Sequence, residues 1–593
     1  MQRLLSEAVA QIGRARRLPW VDLLLVVGLA GLLFTFIDLG RELTGVHRPS
    51  IVIDLSPAAL PRYTMFSLFR GLLAYVLSLT FTLVYGYWAA KDRIAGRLLL
   101  PLLDILQSIP VLGFMPGLVL ALVALFPNSN VGLELAAVIM IFTAQAWNMT
   151  FSFVNSVRSV PADLVEVATV YRLSWWQRLR TVELPFATIG LVWNSMLSMA
   201  GGWFFLMINE SFQLGQRDFR LPGIGSYMSV AVEQGRGDAM ILAIVAMATM
   251  IVVLDQLLWR PVVVWAQKFR VEEGGDQVLM TSWFLDWLHG SRLVRALREF
   301  AGRLRERFQR PATPPPSPRI PAPSPAPAPA PPAPPAPPAP LEARGGALLS
   351  LLALGVLIAV LAWGGWKLVR LLRLVPGATW GSAAGAGVLT LGRVLISTAI
   401  GTLWALPAGI AIGLSTRLSR LLQPVVQVAA SFPAPMLFPL VIAGLQLAGV
   451  SLGWGSIVLM LLGTQWYILF NVIAGAMAIP ADLKEAARSY GITGWLRFRT
   501  LYFPGVFPYL VTGWVTAAGG AWNASIVAEY VTFKGQTLET AGLGAQISSA
   551  AASADFPRLA AAILVMSVLV VAFNRTVWRW CYRMAEQRFS LSK

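Results

Sequence analysis

The chain has 593 residues, 56% hydrophobic and 13% charged, with a mean hydropathy of +0.65 and a net charge of +18. An ordinary soluble domain carries about 25% charged residues, so the composition excludes a disordered chain and argues against a soluble enzyme. It leaves a polytopic membrane protein, in which a basic excess lying mainly beside apolar runs speaks of orientation rather than of nucleic acid.

A membrane helix needs about 20 mostly apolar residues. The first part of the chain offers six such runs, near 19–37, 65–89, 98–126, 131–154, 187–208 and 238–259. Arg14, Arg16 and Arg17 precede the first run, but no small-residue cleavage site follows it, so it reads as a retained helix rather than a signal peptide. Residues 281–309 read as a basic amphipathic helix, with Trp283, Phe284, Trp287, Leu288, Val294, Leu297 and Phe300 against Arg292, Arg295, Arg298, Arg303, Arg305 and Arg307. Such a helix either lies on an anionic leaflet or docks a partner. Residues 311–340 hold 17 prolines mixed with alanine, which favours extended polyproline II and a linker. Six further apolar runs follow near 346–366, 385–413, 421–449, 453–476, 507–528 and 556–574. The expected fold is an all-α polytopic membrane protein of about twelve helices. It divides into a membrane domain 1–270, a cytoplasmic linker segment 271–345 and a second membrane domain 346–593.

Lys and Arg set the orientation. With a cytoplasmic N-terminus, Arg3, Lys91, Arg93, Arg97, Arg158, Arg172, Arg178, Arg180, Arg260 and Lys268 share the cytoplasmic side, as do Arg417, Arg420, Lys484, Arg488, Arg497, Arg499, Arg575 and Arg579. Arg41, Arg48, Arg62, Arg217, Arg220 and Arg236 dissent. So does the group Lys367, Arg370 and Arg373, which either forms a periplasmic amphipathic stretch or marks a misplaced seventh span.

The halves repeat. An offset of 319 maps Pro161-Ala162-Asp163-Leu164 onto Pro480-Ala481-Asp482-Leu483, Trp147 onto Trp466, Pro185 onto Pro504, Trp203 onto Trp522 and Glu210 onto Glu529. It also maps Gly223-Ile224-Gly225 onto Gly542-Leu543-Gly544. Upstream the offset is 323, mapping Arg70 onto Arg393 and Pro101, Pro110 and Pro116 onto Pro424, Pro433 and Pro439. Six spans per half insert both halves the same way round, giving a parallel repeat with a pathway at its interface.

Two loops carry a pattern: Glu485-Ala486-Ala487-x3-Gly491-x9-Leu501-x-Phe503-Pro504, and Glu166-Val167-Ala168-x3-Arg172-x9-Val182-x-Leu184-Pro185. Both resemble the EAA loop of the permeases of ABC importers, E-A-A-x3-G-x9-I-x-L-P. The resemblance implies a type I importer fold and two short helices seated in a cleft of an ATPase subunit. On physical grounds Ala168 and Ala487 offer small faces, Glu166 and Glu485 lie near the positive end of a helix dipole, Gly491 permits a sharp turn, and Pro185 and Pro504 open the next helix. Arg172 departs from the pattern: either the first turn avoids positive φ or the two halves engage the ATPase unequally.

Trp522-Asn523-Ala524-Ser525-Ile526-Val527-Ala528-Glu529 with Gly542-Leu543-Gly544, and Ser431-Phe432-Pro433, resemble the nitrate, taurine, sulfonate and bicarbonate branch of these permeases. The resemblance covers about 65–260 and 385–580. It implies a bacterial inner-membrane protein with cytoplasmic termini, two ATPase subunits or domains as partners, a periplasmic substrate-binding protein, and a small anion as solute. The chain has no G-x-x-x-x-G-K-[ST], so no cofactor is expected on it; ATP and Mg belong to the partner ATPase.

Several polar residues fall in apolar spans and become pathway candidates. Arg70 and Arg393 either attract an anion or brace a helix end. Glu210 and Glu529 either gate, pair with those arginines or pack at a helix end. Trp203 and Trp522 line a pore or pack between helices. Asp104, about 10 Å into its span at about 1.5 Å per residue, and its counterpart Gln427 suggest a hydrated cytoplasmic vestibule. The lone Cys581 and the separated His47 and His289 carry no disulfide or metal spacing, and the two glutamates lack a nucleophile, so neither metal binding nor catalysis is expected. The competing readings are a secondary transporter with parallel six-helix repeats and no ATPase, and a scaffold that works through residues 272–340.

Overall fold

In both halves a capping residue and a proline divide one long apolar run. Helix α1 (Leu60–Lys91) ends at Asp92, whose side chain accepts from the amides of Ile94 and Ala95 and starts α2 (Arg93–Ser108). Ile109 is extended, as a residue before proline prefers, and α3 (Val111–Leu125) restarts after Pro110. Then follow α4 (Val131–Arg158), the short α5 (Ala162–Val170) and α6 (Trp175–Arg178), and α7 (Leu184–Asn209). A hairpin of β1 (Ser211–Leu214) and β2 (Arg217–Arg220), with Phe212 opposite Phe219, precedes α8 (Ile224–Glu233) and α9 (Gly237–Leu254).

The second half repeats this order: α10 (Gly377–Leu414), α11 (Thr416–Ser431), α12 (Phe438–Leu447), α13 (Leu452–Ala478), α14 (Ala481–Ser489), α15 (Gly494–Arg497) and α16 (Phe503–Ala528). The hairpin β3 (Tyr530–Phe533) and β4 (Gln536–Glu539), then α17 (Leu543–Ala552) and α18 (Phe556–Phe573), complete it. Ser415 caps α11 as Asp92 caps α2. Single π-helical turns at Leu179–Glu183 and Asp255–Trp259 recur at Phe498–Tyr502 and Asn574–Trp578.

This computed structural model describes residues 22–24, 27–28, 51–214, 217–269, 282–291, 294–296, 299–300, 302–303, 342–533 and 535–589. Most of the expected first span and all of the proline run lie outside the described residues. Among those described, eight helices are long and apolar enough to cross a membrane, or up to ten if each bent pair is one span. The continuous helices expected at 98–126 and 421–449 are instead broken. The second bends by 82° at Phe432-Pro433, and the first breaks at the matching Ile109-Pro110, because proline lacks an N–H and its neighbour leaves the helical region. Lys367, Arg370 and Arg373 do not form a separate stretch: the helix Glu342–Leu372 runs on to this basic group, placing cations at its negative end.

Residues 37–278 and 363–593 form one compact unit, so contacts join the two repeats rather than separating them. In this unit α1 packs on α4 and α4 on α7, as α10 packs on α13 and α13 on α16. The close approach follows from a stripe of small residues. Ala74, Ser78, Thr82 and Gly86 are buried along α1, and Ser397, Gly401, Ala405 and Gly409 occupy the same register of α10. A Cβ at Gly409 would lie 2.5 Å from Val472 Cγ1, and one at Gly86 2.9 Å from the Phe153 ring. Helices in lipid associate through such contacts, since the hydrophobic effect no longer drives them together.

Residues 1–36 with 279–362 form the other unit. There Ser282 caps the helix Trp283–Gly290, and the buried Ser291 hydroxyl donates to Asp22 at 2.5 Å. The amphipathic helix expected over 281–309 is interrupted, because Ser291 is extended and its hydroxyl caps a new turn at Val294.

Substituting Gly409→Leu should lower the apparent melting temperature of the detergent-purified protein well below that of Gly444→Leu, whose site has open space around it. Fluorescence-detected size exclusion after heating measures the difference.

Candidate functional site

At the hairpin end of each half an arginine and a glutamate meet. Glu210 follows the last turn of α7, and its carbonyl accepts from Leu221 N–H at 2.9 Å, closing the hairpin. Its Oε1 accepts from Ser67 Oγ at 2.6 Å and from Arg70 Nη1, and its Oε2 from the Gly225 amide at 2.7 Å. Arg70 also grips Glu134 with two bonds of 2.6 and 2.7 Å. In the second half Arg393 Nη1 meets Glu529 Oε1 at 2.7 Å, Thr390 donates to Glu529 at 2.9 Å, and Gly544 N–H donates at 2.9 Å. Ser67 and Thr390 accept the amides of Ile224 and Leu543, the first residues of α8 and α17. A Cβ at Gly223 would lie 2.3 Å from the Glu210 carboxyl carbon, and one at Gly542 2.1 Å from Glu529 Oε2. Both glycines are there for space, not for backbone freedom: their φ values are 176° and −179°.

These clasps consume the charges of Arg70, Glu210, Arg393 and Glu529. The four residues brace helix ends, and none lines the cavity between the halves. That cavity, about 250 Å³, is bordered by Gln107, Trp147 and Asn148 of the first half and by Tyr467, Thr516 and Asn523 of the second, with no charged side chain on its described wall. Trp522 also borders it, whereas Trp203 is packed with its ring edge against Gly71. Trp147 Nε1 is buried without a partner among the described residues, while its repeat counterpart Trp466 donates to the Leu462 carbonyl. Asn523 reaches across the interface and accepts the Val111 amide at 2.9 Å, capping α3 from the opposite half. Asp104 is exposed and accepts from Gln107, whereas Gln427 donates to the largely buried Asp255 across the interface at 2.9 Å.

At the other end lie α5 with α6 and α14 with α15. Both pairs turn identically: Leu173 N–H bonds the Ala168 carbonyl at 3.0 Å and Ile492 N–H the Ala487 carbonyl at 2.9 Å. The residue at the turn has φ +48° at Arg172 and +66° at Gly491. Arg172 therefore keeps the left-handed turn, and the alternative of a first turn without positive φ falls. Ala168 and Ala487 are the buried residues of their helices, so their small side chains let α5 and α14 lie close to the chain's own body rather than offering an outward face. The first-turn acids are Asp163 and Asp482; Glu166 and Glu485 come a turn later and are exposed, so the dipole role passes to the aspartates. Ala486 is exposed, and Pro185 and Pro504 stand in the first turn of α7 and α16. Val167, Val170, Tyr171, Trp175 and Trp176 leave much of the first loop apolar and uncovered, with Tyr490, Trp495 and Leu496 doing so on the second. Burial pushes the Lys484 ammonium below the usual lysine range.

The sequence reading missed Ser67, Thr390 and Glu134. The 323-residue offset maps Ser67 onto Thr390, two hydroxyl residues three positions before each arginine, and that coincidence was the available clue.

Two helical repeats, each with a broken span, a clasped hairpin and a two-helix loop at the opposite end, define a multi-pass membrane permease of the type I importer fold. The chain belongs to the family described as "Binding-protein-dependent transport system inner membrane component", which matches residues 82–258 and again 401–590, more than half of its length. It is 27% identical over 186 residues to the glycine betaine transport system permease protein OpuAB of Bacillus subtilis, covering 31% of this chain and 59% of that one. The nitrate import permease protein NrtB of Leptolyngbya laminosa is 27% identical over 156 residues, 26% of this chain and 53% of its own. The taurine transport system permease protein TauC of Escherichia coli is 26% identical over 186 residues, 31% of this chain and 61% of its own. The matched stretch thus spans little more than half of each of these relatives.

Gly542→Ala should displace the Glu529 carboxylate and strand Arg393. Breaking a buried ion pair costs about 3–5 kcal/mol, so the yield of folded protein should fall sharply while Gly381→Ala, in open space within α10 and at ordinary helical φ, has a small effect. Size-exclusion yield after identical expression compares the two.

Proposed function

We propose that this chain forms the solute pathway of an ATP-driven importer, with α5–α6 and α14–α15 as its contacts to two ATPase subunits or domains and a periplasmic binding protein delivering solute at the hairpin end. The observation that carries the reading is the pair of exposed loops with one turn geometry, at matching places in a parallel repeat. In this reading the termini and both loops are cytoplasmic, and residues 271–345 tether the two membrane domains 1–270 and 346–593. ATP binding draws the ATPase domains together, the loops follow, and the interface opens toward the binding protein; hydrolysis resets it. Repeats that share one unit and exchange contacts such as Asn523 with Val111 can rock against each other about that interface. The secondary-transporter alternative leaves the loops without a role.

The solute we infer is a small anion such as nitrate, a sulfonate or taurine, or bicarbonate. Relatives named for nitrate, taurine and bicarbonate support the class, and the uncharged cavity of about 250 Å³ suits a compact solute held by neutral donors. The relative named for glycine betaine makes a small zwitterion the second reading.

Glu166→Lys with Glu485→Lys should abolish uptake into membrane vesicles and the stimulation of ATP hydrolysis by the loaded binding protein, with membrane insertion intact. Unchanged uptake and stimulation would remove the coupling role. Copurification of an ATPase with the wild-type chain separates the importer from the secondary transporter, and uptake of labelled nitrate, bicarbonate, taurine and glycine betaine assigns the solute.

A further inference from the structure

The two loops are fastened to the helical body by different chemistry. In the first half Glu183, the variable residue between Val182 and Leu184 of the loop pattern, sits in the π-helical turn that leads into α7. Its side chain is 1% exposed, and Oε1 accepts from Lys91 Nζ at 2.5 Å and from Arg178 Nε at 2.9 Å. Lys91 is the last residue of α1, and Arg178 is the last residue of α6. One carboxylate thus joins the loop, the entry to α7 and the end of α1.

Among the described residues the second half shows no counterpart of this doubly paired carboxylate. The 319-residue offset places Tyr502 at the position of Glu183 and Arg497 at that of Arg178, and the 323-residue offset places Leu414 at that of Lys91. Arg497 lies over the Tyr502 ring at 5.1 Å, its Nη2 donates to the Lys484 carbonyl at 3.2 Å, and its Nε is buried without a partner among the described residues. A charge-assisted hydrogen bond is short and directional. Arg497 is therefore held within its own loop, by the Lys484 carbonyl and the Tyr502 ring, whereas the Glu183 carboxylate ties its loop outward to the end of α1.

We propose that Glu183 is a positioning residue that makes the first loop the stiff member of the pair. A push on α5 and α6 is delivered to α1 and α7 together, whereas α14 and α15 move some way before α16 follows. The two strokes on the two halves are unequal for this reason. The mechanical consequence rests on the importer reading above; the difference in stiffness does not.

The test is hydrogen–deuterium exchange on the full chain in lipid nanodiscs, with transport assayed in the assembled complex. Amides of 161–183 should exchange about tenfold more slowly than those of 480–502. Glu183→Gln should bring the first loop to the rate of the second and leave the second unchanged. In the complex it should lower the number of solutes moved per ATP several-fold while the ATPase stays bound. Lys91→Arg, which keeps the cation, should preserve both readouts. Equal protection of the two wild-type loops, or a Glu183→Gln chain with unchanged protection and unchanged solute-to-ATP ratio, would overturn the proposal. If Glu183→Gln does not fold, the reciprocal chain with Leu414→Lys and Tyr502→Glu decides: slowed exchange over 480–502 supports the tether, and no change overturns it. Absence of any copurifying ATPase from the wild type would defeat the importer reading while the exchange comparison still judges the tether.

Discussion

A buried arginine–glutamate pair at the hairpin end organises each half of this protein. Ionised groups cannot remain in a low-dielectric interior without partners, and here the partners come from elements other than the one that carries the charge. For Glu210 these are Ser67 and Arg70 of α1 and the Gly225 amide of α8; for Arg70 they include Glu134 in the first turn of α4. The clasp therefore fixes three helices and a hairpin relative to one another. Two glycines make it possible, because any side chain at Gly223 or Gly542 would occupy the space of the carboxylate. What drew notice in the sequence as a possible anion attractor is a structural joint whose charge is already satisfied.

Away from the clasp the repeat is less exact, and the differences gather at the interface and at the loops. Asn523 caps α3, but its counterpart in the first half is Phe204. Asp255 binds Gln427 across the interface; the corresponding positions are Asn574 and Asp104, so the acid and the amide have changed places between the halves. One chain carrying both repeats is free to vary each copy independently, which two identical subunits cannot do. The cavity wall inherits that freedom: Asn148 and Tyr467, which occupy the same place in the repeat, both border it, and Trp147 Nε1 has no partner among the described residues where Trp466 has a carbonyl.

The loop ends show which parts of a pattern geometry requires. A left-handed residue is needed where α5 and α14 turn back, and Gly491 meets that need without strain, whereas Arg172 meets it at a steric cost. Ala168 and Ala487 are needed on the inner side of their short helices, where each is buried, while Ala486 faces outward. The outer side, free of such contact, differs between the two halves in charge and apolar content.

Much of this was legible in one dimension. Apolar runs of span length, the doubled loop motif and the offsets of 319 and 323 are local or periodic properties, and they were enough for an all-α membrane protein of two parallel repeats, for its family and for the places where the loops lie. The breaks at Pro110 and Pro433 were visible as prolines but read as interior to spans, because hydropathy averages over a bend. The pairing of Arg70 with Glu210 stood among the alternatives the sequence offered, but Glu134 and the partners of Glu183 were not legible at all. Glu134 lies 64 residues from Arg70, and Lys91 lies 92 from Glu183. Nothing in sequence spacing reports a contact between side chains on separate helices; only the packing of α1, α4 and α7 brings those charges within bonding distance, and so decides which charged residues brace the protein and which remain free to act.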